Sequence, residues 1–134
     1  MFVRSFHSMP WRYLLGWIIF IAYFFFITII SLLPGAEEKS LLDLNQYGIL
    51  FLDKMLHVAA YGLFALLGYF LGLTPRLYIA LCLLLAGYGL LLEWLQGWLI
   101  VNREASMLDA LANLVGILMG AKLTLWRLYS RSSN

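Results

Sequence analysis

From Tyr13 to Leu33 the chain runs for 21 residues without a charged side chain, most of them Leu, Ile and Phe. At about 1.5 Å rise per residue, a helix of that length covers the roughly 30 Å hydrocarbon core of a bilayer. The segment is longer than the apolar core of a signal peptide, and Pro34 falls where a cleavage site needs a small residue. It reads as a spanning helix rather than a leader. The remaining chain is of the same kind: 63% of the 134 residues are hydrophobic and 12% charged, too apolar for a soluble domain of this size to cover its surface.

Breakers divide the chain into four spans. Pro34-Gly35 ends the first, and the polar stretch from Glu37 to Gly48 is the one sizeable loop. Helix two is expected over about 53–73, with Thr74-Pro75-Arg76 as a tight turn. Helix three is expected over 77–100 and helix four over 106–126, joined by a short loop over 101–105, with a polar tail after Trp126. No linker, charge block or internal repeat splits the chain, so residues 1–134 form one all-α membrane domain, a compact four-helix bundle. The lone Cys82 lies in an apolar run, which excludes a disulfide framework and a CxxC motif and makes it a packing residue.

Orientation follows from Lys and Arg, because positively charged loops stay in the cytoplasm. Arg4, Arg12, Arg76, Lys122, Arg127 and Arg131 fall on one side, and Lys39, Lys54 and Arg103 on the other. Both termini are therefore expected in the cytoplasm. Trp11, Tyr13, Trp126 and Tyr129 fit an inner aromatic belt, and Tyr47, Trp94 and Trp98 an outer one.

With that orientation, the polar residues of three spans gather in the outer half of the membrane. Asp53, Lys54, His57 and Tyr61 open helix two, Glu93 and Gln96 close helix three, Arg103 follows it, and Ser106, Asp109 and Asn113 open helix four. Small residues continue each stripe inward: Ala65, Gly68 and Gly72; Ala86 and Gly89, with Gly97 beside Gln96; Gly116 and Gly120. Small residues let helices approach closely in lipid, so three helices are expected to meet below a polar pocket.

Ordinary structural roles compete for each polar residue. Asp53 is a plausible cap of helix two, and Ser106 with Asp109 resembles a capping box that has Asp in place of Glu or Gln. Lys54 and Arg103 suit interfacial anchors, His57 a hydrogen-bonded structural histidine, Asn113 and Gln96 interhelical glue, and Tyr61 packing. Glu93 is harder to dismiss. A carboxylate two turns inside a span needs a partner, for which His57, Lys54 and Arg103 are the choices.

Taken in order, Asp53-Lys54-x-x-His57-x-x-x-Tyr61, then Glu93-x-x-Gln96, then Arg103-x-x-Ser106-x-x-Asp109-x-x-x-Asn113-x-x-Gly116-x-x-x-Gly120 resembles the VanZ-like family of small bacterial membrane proteins. The exit from helix one, Ser31-Leu32-Leu33-Pro34-Gly35, is similar to that family as well, whereas Asn102 stands where the family often has Gly before the Arg. The resemblance implies a multi-pass protein of the bacterial cytoplasmic (inner) membrane. The family takes its name from an accessory protein of teicoplanin resistance, which implies a role in the cell envelope that touches glycopeptide susceptibility.

Two functions follow from the residues. In one, the outward N-termini of helices two and four, with Lys54, Arg103 and His57, bind the anionic headgroup of a membrane lipid or a lipid-linked envelope precursor. In the other, the protein is a membrane-embedded enzyme using His57, Glu93 and Asp109 as acid and base. No HExxH, nucleophile elbow or Gly-rich phosphate loop is present, so no metal, cofactor or nucleic acid is expected. A proton-coupled transporter is disfavoured by the lack of inverted repeats and broken helices.

Overall fold

A computed structural model describes residues 10–33, 52–99 and 106–132, and these residues form an all-α structure without strands. Four helices result: α1 (Trp11–Leu32), α2 (Leu52–Leu67), α3 (Pro75–Leu99) and α4 (Met107–Ser132), with a 3₁₀ turn over Gly68–Leu71 extending α2. All four spans, counting α2 with its 3₁₀ turn, are long and apolar enough to cross a membrane. Their outward faces carry exposed Leu, Ile, Phe and Trp, as a lipid-facing surface does.

Two boundaries differ from expectation. Pro75 opens α3 instead of sitting in the turn, because its missing N–H is no loss at a first helical position and Thr74 supplies the cap. The Thr74 hydroxyl accepts from Leu77 N at 3.4 Å, and the Thr74 carbonyl from Tyr78 N at 2.9 Å. The reversal is made by Gly72, whose φ of 69° is left-handed and whose α-carbon lies beside the Tyr13 ring. In α4, helix replaces the expected polar tail as far as Ser132, since nothing between Trp126 and Ser132 is a Gly or Pro. At the other end of the bundle, α1 stops at Leu32 and Leu33 is extended, the conformation favoured before proline.

The helices alternate in direction. Tyr13 of α1 meets Gly72 at one end, while at the other Gln96 Nε2 of α3 donates to the Ser31 carbonyl of α1 at 2.6 Å. The N-termini of α2 and α4 lie with the C-termini of α1 and α3. Phe64, fully buried, centres the aromatic core, with ring centroids of Phe20 at 5.0 Å and Tyr23 at 5.2 Å. Two tyrosine hydroxyls tie the core to the α2 backbone, Tyr23 to the Ala60 carbonyl and Tyr78 to the Ala65 carbonyl, both at 2.9 Å.

The parallel pair α2 and α4 packs backbone against backbone. A Cβ at Gly116 would run into the Val58 carbonyl oxygen, and one at Gly120 would lie 2.5 Å from the Gly62 oxygen and 2.9 Å from Ala65 Cβ. Gly116 and Gly120 therefore pack as expected, but the α2 side of the contact is Val58, Gly62 and Ala65. Gly68 packs on Tyr78 and Leu81 of α3. Gly97 is exposed.

Candidate functional site

The glycine contact fixes how far apart the polar ends of α2 and α4 can be. One to two turns toward their N-termini, the backbones present Asp53, Lys54 and His57 on one side and Asp109 and Asn113 on the other, and these five side chains meet. Lys54 Nζ lies 2.8 Å from Asp53 Oδ2 and also pairs with Asp109 Oδ1. His57 Nδ1 lies 2.9 Å from Asn113 Oδ1, and His57 Nε2 lies 3.8 Å from Asp53 Oδ1 and 3.9 Å from Asp109 Oδ2. An amide oxygen only accepts, so the Nδ1 hydrogen belongs to the His57–Asn113 bond and Nε2 is turned toward the carboxylates.

Burial is graded across the cluster. Asp109 and Asn113 are 5% and 3% exposed, whereas the side chains of Lys54 and Asp53 are 29% and 45% exposed. The cluster is closed on the α4 side and open on the α2 side.

Ser106 explains why Asp109 is available to α2. Its hydroxyl accepts from Asp109 N at 3.2 Å, which is the first half of a capping box. The reciprocal bond to the Ser106 N–H comes not from Asp109 but from Glu93 Oε2 of α3, at 3.3 Å. A box closed by a neighbouring helix leaves the Asp109 carboxylate to Lys54. It also places the Glu93 charge at the positive end of the α4 dipole, a favourable position for a carboxylate only 6% exposed.

The structure thus redistributes several partners. Lys54 and His57, two of the cations considered for Glu93, are engaged by Asp53, Asp109 and Asn113. Asp53 lies inside the first turn of α2 rather than at its cap. Gln96 and Asn113 do not bond to each other: Gln96 holds α1 through the Ser31 carbonyl, and Asn113 holds His57. Tyr61 is buried against Gly89, whose missing Cβ would meet the Tyr61 ring at 3.1 Å and Asn113 Nδ2 at 3.3 Å. Arg103, Asn102 and the 37–48 loop lie outside the described residues.

Charge in the cluster is the main departure. Among its described residues, three carboxylates (Asp53, Glu93 and Asp109) face one ammonium, Lys54, so the ammonium is not a spare positive charge. The N–H groups of Ser106 and Asp109 at the start of α4 are likewise taken. The Asn113 bond gives the His57 ring a defined orientation. No family model, curated protein or solved structure matches this chain.

Proposed function

We propose that this multi-pass membrane protein is a VanZ-like protein of the bacterial cytoplasmic membrane, with both termini in the cytoplasm, whose polar cluster receives the headgroup of a lipid-linked or other anionic envelope ligand. The supporting observation is the convergence of Asp53, Lys54, His57 and Asp109 at one end of four apolar spans, open at Lys54 and Asp53 and closed at Asp109. Ionisable groups inside a membrane are costly and mark sites where something polar is handled. The Lys and Arg distribution sets that end in the outer half of the bilayer, where envelope precursors are displayed. With Lys54 shared between two carboxylates, Arg103 supplies the positive charge for the headgroup; a bidentate Arg contact gives planar recognition of phosphate or carboxylate. An envelope ligand of this kind connects the protein to glycopeptide susceptibility.

Lipid retention in native mass spectrometry tests this reading. Wild-type protein extracted from its own membranes retains an anionic lipid, Arg103→Lys retains less, and Arg103→Ala less again with topology and expression unchanged. The same lipids in the same proportions in wild type and Arg103→Ala would make Arg103 an interfacial anchor and defeat the headgroup reading.

The orientation of His57 favours a second reading, a membrane-embedded enzyme acting on a lipid or envelope substrate. A ring held at Nδ1 with Nε2 beside Asp109 is arranged as a general base is, with Glu93 supporting Asp109 through Ser106. Conversion of the retained lipid on incubation, abolished by His57→Gln, would establish it over simple binding.

A further inference from the structure

The two carboxylates of the cluster divide their oxygens. Lys54 takes Asp53 Oδ2 and Asp109 Oδ1, while Asp53 Oδ1 and Asp109 Oδ2 lie 3.8 and 3.9 Å from a single ring nitrogen, His57 Nε2. Because Asn113 Oδ1 accepts at Nδ1, the neutral ring presents a lone pair at Nε2. Three potential donor atoms from two helices then face one another.

We propose that Asp53, His57 and Asp109 bind a first-row divalent transition ion, Zn²⁺ or Mn²⁺, through Asp53 Oδ1, His57 Nε2 and Asp109 Oδ2. One donor atom from each residue lies within 4.8 Å of the other two. Donors around a tetrahedral zinc, with bonds near 2.0–2.1 Å, are separated by roughly 3.4 Å, so side-chain rotations close the site without moving a helix. Imidazole with carboxylates suits these ions, and three protein ligands leave a coordination position open. The surrounding groups are those such a site needs: Asn113 fixes the tautomer and aim of His57, and Lys54 holds the other oxygen of each carboxylate. Lys54 does not have to leave for the ion to enter.

The ion also changes what the pocket can bind. Asp53, Asp109 and Lys54 together carry one negative charge and repel an anion; a divalent ion reverses the sign at these three groups, with Glu93 held apart at the Ser106 N–H, and the open coordination position accepts a phosphate or carboxylate oxygen. This last step rests on the headgroup reading above, whereas ion binding itself does not.

The test is titration of the tag-free full chain in detergent, stripped with EDTA, with Zn²⁺ and separately with Mn²⁺. Wild type takes up one ion per chain. Affinity falls at least about 100-fold in His57→Gln and Asp109→Asn and about 10-fold in Asn113→Leu, at or beyond the range of supporting-shell losses. Circular dichroism establishes that each variant is folded, and Asp53→Asn, at the open edge of the cluster, provides the ligand test if Asp109→Asn does not fold. No uptake by wild type, or uptake unaffected by both His57→Gln and Asp53→Asn, overturns the proposal; the second outcome puts the ion elsewhere. Native mass spectrometry of unstripped and EDTA-treated protein separates the two readings. Loss of retained lipid with the ion supports the coordinated headgroup, lipid retained without the ion overturns that link, and ion uptake by a protein that retains no lipid defeats the headgroup reading while leaving the ion site standing.

Discussion

Two regions of the same helix pair, α2 and α4, solve opposite problems within two turns of each other. Around Gly62, Gly116 and Gly120 the helices touch backbone to backbone, and at Gly116 and Gly120 no side chain larger than a hydrogen fits. Around Asp53, Lys54, His57, Asp109 and Asn113 the same two helices are bridged entirely by long polar side chains. The first region has contact and no chemistry; the second has chemistry that depends on the contact. The glycines set an interhelical distance that the polar side chains then span, so damage to the first should register as instability and damage to the second as altered binding.

The largest effect should come from the glycine region. Gly116→Leu drives a side chain into the Val58 carbonyl, where backbone cannot yield as a flexible side chain does, and should cost about 3 kcal/mol or more. Unfolding in mixed micelles measures it, and a variant as stable as wild type would break the comparison. Lys54→Met comes next, because it leaves the Asp109 carboxylate, only 7% exposed at its side chain, without its cation. A loss of about 2–3 kcal/mol is expected, with Lys54→Arg recovering most of it. A smaller loss, about 1–2 kcal/mol, is expected for Asn113→Leu, which removes the partner of His57 Nδ1. Its distinguishing readout is the ring's tautomer by nitrogen NMR, which should become mixed. Smallest is the contrast at the α4 cap: Glu93→Gln keeps an acceptor for Ser106 N, whereas Glu93→Leu orphans that N–H and should be less stable than Glu93→Gln by about 1–3 kcal/mol. Equal effects of Gln and Leu would remove Glu93 from the α4 cap.

The two regions were not equally legible in the sequence. The four spans follow from length and apolarity alone, and Gly116 and Gly120 stand out at a GxxxG spacing. Their counterpart Gly62 does not, because Ala59, Ala60, Gly62 and Ala65 offer small residues on every face of α2, and only the tertiary contact selects Val58, Gly62 and Ala65. Pro75 was ambiguous for a related reason, since proline both breaks a helix and begins one. In the polar region, the membership of the cluster is readable from helical spacing, but the pairing is not. Lys54 has carboxylates within reach on two helices and Glu93 on a third, and the choice turns on Ser106, whose N–H draws Glu93 away and leaves Asp109 to α2. A hydrogen bond between the backbone N–H just before α4 and a side chain of α3 leaves no periodic trace in α2.

The account's central claim is that Lys54 of α2 and Asp109 of α4 act on each other across the helix pair, and a double-mutant cycle measures that most directly. Lys54→Met, Asp109→Asn and the double variant are unfolded in mixed micelles beside wild type. Contacting groups in one ion-pair network couple by about 0.5–3 kcal/mol, and for this partly buried pair the coupling should be at least about 1 kcal/mol, so that the double variant is less destabilised than the two single losses added together. Strictly additive losses would mean that the two side chains do not meet, and the cluster built on them would not exist.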